Sequence, residues 1–114
     1  MTKAPHTSPA EAFFLAARPK SDVFVLPGVG EVDVVELREA EVSQIRAKIE
    51  SEKDIGRRSK LFGLGLVVRS VHKSGVRVFA DEDIERFADA GNGAVEKLAA
   101  AVLKVNGYGA DPGN

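Results

Sequence analysis

Leu66-Val-Val-Arg-Ser-Val71, a Lys73-Ser74-Gly75 turn and Val76-Arg77-Val78-Phe79 lead into Asp81-Glu-Asp-Ile84 and an apolar-striped run from Ala94 to Val105. The reading of this stretch decides the fold. β-Branched residues on both sides of a Gly-bearing turn predict a short hairpin. Three acids then open a segment predicted as a helix over 81–90, because carboxylates are favoured at a helix N-terminus. In that helix Ile84 and Phe87 are expected to face inward and Glu82 to pair with Arg86. Gly91-Asn92-Gly93 breaks the chain. Val95, Leu98, Val102 and Val105 then fall on one helical stripe with Leu103 beside it, and Asn106-Gly107 stops the helix. The stretch reads as a packing unit that presents a surface, with no signature of chemistry in it.

The flanks work outward from that unit. Leu61, Leu64, Val68 and Val71 follow helical spacing, whereas Phe62, Leu64, Leu66 and Val68 alternate like a strand. We expect a helix to about Val68 and then an extended piece pairing with 76–79. Gly63 and Gly65 each weaken a helix by about 1 kcal/mol relative to Ala, which suggests close approach of another element. Residues 37–54 predict a helix, with Val42, Ile45 and Ile49 inward and Glu39 and Glu41 in its first turn. Lys53, Arg57 and Arg58 are expected near its end and Gly56 at its stop. Upstream, Val23-Phe-Val-Leu26 and Glu31-Val-Asp-Val34 alternate around Pro27-Gly28-Val29-Gly30, an antiparallel hairpin with Val32 and Val34 inward. Glu11 to Ala17 fits a helical turn or two closed by Arg18-Pro19. The adjacent Phe13 and Phe14 are read as core side chains, a sticky surface being the alternative.

The whole is an α+β, mostly helical single domain with an N-terminal β-hairpin and a second short hairpin. Its expected organisation is a flexible segment 1–21, a domain 22–106 and a flexible tail 107–114.

Composition narrows function. The 114 residues carry a net charge of −1, which gives no electrostatic footprint for nucleic acid or an anionic membrane. With no cysteine, disulfides, thiolate zinc sites and a Cys nucleophile are excluded. No apolar run approaches the roughly 20 residues of a membrane span, and no signal peptide is visible, so a soluble, non-exported protein is expected. Glycine pairs at 28/30, 63/65, 91/93 and 107/109 lack the third Gly of a dinucleotide fingerprint, those positions holding Asp33, Val68, Glu96 and Pro112. Asp81, Asp83 and Glu85 have the first spacings of a calcium loop, but Arg86 stands where its Gly belongs. His6 and His72 have no partner at metal or triad spacing. Arg57-Arg58-Ser59-Lys60 is the one basic cluster; it is read as a helix cap, with a DNA-binding regulator as the rival function. Catalysis, metal and cofactor are not expected.

Three pieces of the chain, spanning about residues 23 to 108, resemble the tail assembly chaperones of long-tailed phages. They are Val25-Leu-Pro-Gly-Val-Gly-Glu-Val-Asp-Val-Val-Glu-Leu37 running into a charged helix, Leu64–Val71 with its turn and Val78-Phe-Ala-Asp-Glu-Asp-Ile84, and Gly93-Ala-Val-Glu-Lys-Leu98 through Leu103-Lys-Val-Asn-Gly-Tyr108. Two positions depart from the pattern: the turn is His72-Lys-Ser-Gly75 rather than acidic, and Ala80 stands where a Ser or Thr cap is usual, leaving Asp81 to take that role. The resemblance implies a protein that binds the tape measure protein in the host cytoplasm, keeps it soluble, helps recruit tail tube subunits through a frameshift-extended form and is absent from the finished virion. Self-association is a further expectation. Phe13, Phe14, Leu103 and Tyr108 are the candidate contacts with the partner chain, plain packing being the alternative for each. The rival within the same setting is a virion structural protein, a head–tail connector or minor tail component.

Overall fold

The alternation of Val23-Phe-Val-Leu26 with Glu31-Val-Asp-Val34 becomes a hairpin of β1 (Ser21–Leu26) and β2 (Gly30–Val35). Gly28 and Gly30 turn the chain with positive φ angles of 80° and 100°, and the Val29 N–H donates to the Leu26 carbonyl. The structure, a computed structural model, describes residues 8–108. Phe24 pairs with Val32 and Val34 with Val71, so these residues and Leu26 share one face of the sheet; Val23, Val25, Glu31 and Asp33 line the other. Val32, Val34 and Val71 are fully buried, as a half-covered sheet requires.

Beyond β2 come α2 (Glu39–Ile49), α3 (Ile55–Ser70), β3 (Val71–Lys73), β4 (Val76–Arg77), a 3-10 segment (Asp81–Asp89) and α4 (Asn92–Val105). An eight-residue helix, α1 (Pro9–Ala16), precedes β1. The four strands form one antiparallel sheet in the order β1-β2-β3-β4, so both expected hairpins join a single sheet. Ser74 and Gly75, both left-handed at φ 53° and 80°, make the two-residue turn into β4.

The core is aliphatic. Leu66, Val67 and Val71 pack with Val42 and Ile45 of α2 and Leu98 and Val102 of α4, and Val68 is fully buried beside them in α3. The ambiguous stretch 59–71 is therefore helical to Ser70, two residues further than expected, and its buried run is the centre of the molecule. Of the glycines there, Gly65 gives the close approach: a Cβ on it would stand 2.8 Å from Ile45 Cγ2, whereas one on Gly63 would meet nothing.

Three local expectations are corrected. The helix expected over 37–54 ends at Ile49, and Gly56, Arg57 and Arg58 belong to the first turns of α3. Cations there oppose the helix dipole. Glu52 offsets this, pairing with Arg57 at 3.2 Å and accepting at its carbonyl from the Arg58 guanidinium, while Asp54 caps the Gly56 N–H. Residues 81–89 form a 3-10 rather than an α-helix. With three residues per turn the eclipsed positions are i and i+3, so Arg86 meets Asp83 at 3.1 Å and not Glu82. Asp81 does not replace the missing cap either. The Ala80 N–H donates to Asp83 Oδ2 at 2.8 Å, which frees Asp81 to turn toward α2, α3 and β4.

Candidate partner-binding surface

Helix α1 is built correctly for its ends and left uncovered on its sides. Ser8 Oγ accepts the Glu11 N–H at 3.1 Å and Pro9 occupies the first turn, both good helix starts. Yet no residue of α1 is buried. Phe13 is 62% and Phe14 69% exposed, their rings edge to face at 5.2 Å, and Leu15 is exposed beside them. The reading of the two Phe as core fails because α4 already covers the inner face of β1 and β2.

The other two candidates sit elsewhere. Leu103 packs against the core, so it is not a free contact. Tyr108, expected in a flexible tail, is held: its N–H donates to the Leu103 carbonyl at 2.8 Å, its ring meets Phe62 at 5.5 Å, and its hydroxyl lies 3.3 Å from Arg46. Residues 109–114 of that tail, and residues 1–7 including His6, lie outside the described residues. Tyr108 keeps 44% of its surface open, on a ledge where the Arg46 guanidinium also stacks 4.8 Å from Phe62. The four candidates thus separate into an apolar arm, a core residue and an aromatic ledge.

Sequence reasoning missed two features. One is the outer face of β1, where Val23 and Val25 stand exposed on the sheet's edge strand. The sign was a strand apolar on both faces. Asp22 Oδ1 accepts the Val23 N–H at 2.8 Å, and Pro19 and Pro27 bracket the strand, which blunts the edge against uncontrolled pairing.

The other is a groove of about 410 Å³ between the N-terminal halves of α3 and α4 and the 3-10 segment. Leu61, Leu64, Ile84, Phe87 and Val95 give it an apolar floor. Arg57 and Lys60 line it from α3, Glu85 from the 3-10 segment and Glu96 from α4. The positions are far apart in sequence, so no local pattern announces it. A smaller apolar depression of about 190 Å³ between α2 and α3 is rimmed by Lys48, Arg69 and Asp81.

Around the smaller depression and the start of the 3-10 segment the charged groups are engaged with one another. Asp81 accepts from Lys48 at 2.7 Å and Arg77 at 2.8 Å, with Arg69 at 3.7 Å. Hydrogen bonds from Lys48 and Arg77 hold its carboxyl down to a pKa of about 2. The Ala80 N–H and then Arg86 lower that of Asp83. His72 is half-buried with Nδ1 3.1 Å from the Ser70 carbonyl; that oxygen only accepts, so Nδ1 is the ring nitrogen that donates there. Among the described residues no group of three or more His, Cys, Asp or Glu could hold a metal ion, and no helix is long and apolar enough to cross a membrane.

The surface features are therefore apolar arm, apolar groove and aromatic ledge, set in a charged exterior. No protein-family model, no curated protein and no solved structure matches this chain.

Proposed function

We propose that this protein is a phage tail assembly chaperone that holds the tape measure protein in a soluble state before the tail forms around it. The observation that carries the proposal is the exposure of Phe13, Phe14 and Leu15 on a helix that buries nothing, together with an apolar groove on the same molecule. Large uncovered apolar side chains beside an apolar cleft are what binding of an amphipathic helix requires. A tape measure protein is a long helical chain whose apolar stripes aggregate until covered. Binding them by mass action suppresses that aggregation with no nucleotide consumed. On this reading the protein acts in the host cytoplasm, recruits tail tube subunits through an extended form and leaves before the virion is complete.

Co-expression with the tape measure protein is the test. A raised soluble yield of that protein supports the reading; an unchanged yield beside a well-folded 114-residue chain overturns it. Mass spectrometry of purified particles separates the virion alternative, since a head–tail connector or minor tail component is present in several copies and a chaperone is missing.

A further inference from the structure

We propose that α1 is an exchange arm: the helix of one copy lies in the groove between α3, the 3-10 segment and α4 of a second copy, and the exchange is reciprocal. The inference stands apart from the identity of any client.

Three observations carry it. First, an eight-residue helix is short of the roughly 12–15 residues at which an isolated helix becomes marginal in water, so α1 gains its stability from a surface that covers it. Among the described residues none of its own body does so, since no residue of α1 is buried. Second, the charges match. Glu11 opens α1 and Arg18 follows its end, roughly 10 Å apart along the axis. The groove carries Arg57 and Lys60 on α3, Glu85 on the 3-10 segment and Glu96 on α4. Glu11, Arg18, Lys60, Glu85 and Glu96 form no ion pair among the described residues. An arm laid across the groove places acid against base at both ends while Phe13, Phe14 and Leu15 meet the apolar floor.

Third, the area suffices. Three large apolar side chains and the wall that covers them remove roughly 500–600 Å² per arm. Two reciprocal arms reach roughly 1,000–1,200 Å², the lower end of a specific interface. The resulting assembly is a two-fold dimer of moderate affinity, closed because each arm finds the other copy's groove. An arm that leaves at moderate cost also keeps the groove covered until a stronger helix arrives.

The test uses the full chain with no client present. Sedimentation equilibrium of the wild type is expected to show a concentration-dependent dimer. Phe13→Ser/Phe14→Ser removes the arm's contacts, and Ala88→Arg fills the groove from an exposed position; each is expected to weaken dimerisation by at least about tenfold with the melting curve of the monomer retained. Mixing the two variants leaves one intact arm facing one intact groove, so the mixture is expected to associate more than either variant alone but less than the wild type. The chain has no cysteine, so Leu15→Cys on one copy and Ala90→Cys on another should form a disulfide only across copies. A monomeric wild type, or a dimer unchanged by the arm variant or by the groove variant, overturns the proposal. So does a Leu15→Cys copy that links to Val25→Cys on the β1 edge in preference to Ala90→Cys.

Discussion

Gly65 of α3 faces Ile45 of α2 so closely that a Cβ on the glycine would stand 2.8 Å from Ile45 Cγ2. Ile45 is itself buried, so its methyl cannot swing aside into solvent. Gly65→Ala therefore gains up to about 1 kcal/mol in helix propensity but overpacks the α2–α3 contact at about 1–3 kcal/mol. The expected result is net destabilisation in chemical denaturation. Gly63→Ala, where nothing lies within 4 Å, is expected to stabilise by about 0.5–1 kcal/mol. In an Ile45→Ala background the Gly65 change loses its penalty, and that coupling identifies the contact as the cause.

Asp81 sets an acid limb. Its carboxylate answers three cations on three elements, Lys48, Arg69 and Arg77. Its pKa in the fold is about 2 against 3.8 ordinarily. A folded pKa below the unfolded one means the stabilisation is complete above about pH 4 and is lost as pH falls through about 2. With 36% of the side chain open to water, screening reduces the contribution to about 1 kcal/mol. Asp81→Asn should lower stability by that order at pH 7 and flatten the fall between pH 4 and 2. Added salt should recover part of the loss, since the variant leaves the cations facing one another.

Asn106 does more than end α4. Its Oδ1 accepts the Leu37 N–H at 2.8 Å, and its Nδ2 donates to Ser70 Oγ at 3.1 Å and the Val102 carbonyl at 2.9 Å. One side chain thus ties the exit of the hairpin, the end of α3 and the last turn of α4. Asn106→Ala strands the buried Leu37 N–H and leaves Ser70 Oγ, fully buried, without its donor. A loss of about 2–4 kcal/mol is expected in thermal or urea unfolding. Ser70→Ala in the Asn106→Ala background should cost less than it does alone.

What the sequence disclosed and what it hid follow from how far each signal reaches. The β1–β2 hairpin and the Ser74-Gly75 turn were legible because alternation and turn chemistry are local. The α+β fold followed from them. Asn106 was legible only as a helix stop, its partners at 37 and 70 being remote in the chain. Asp81 was read as a cap for the same reason; Lys48 lies 33 positions away. The 3-10 winding of 81–89 has the same apolar and acidic positions as an α-helix would, so periodicity could not separate the two. Phe13 and Phe14 were assigned by apolarity, which says that a side chain seeks cover but not whether its own chain supplies it. The groove needed α3, the 3-10 segment and α4 to be placed before it existed.

That division suggests how to separate binding from folding at the arm. Phe13 and Phe14 are mostly exposed and touch chiefly each other, so replacing both with Ser removes little buried surface. Changes at such positions usually stay within about 0.5 kcal/mol, and the melting temperature of the monomer should hold. Leu103→Ser, by contrast, strips a side chain packed on the core and should lower stability by about 1–3 kcal/mol. Tyr108→Phe keeps the edge contact with Phe62 and loses only the exposed link to Arg46, so its effect on folding is small. If the arm serves a client helix, as the proposed function requires, soluble yield of co-expressed tape measure protein falls with Phe13→Ser/Phe14→Ser while the folded 114-residue protein persists at its usual level. If yield falls only with Leu103→Ser, in step with lost folded protein, α1 has no part in binding the client.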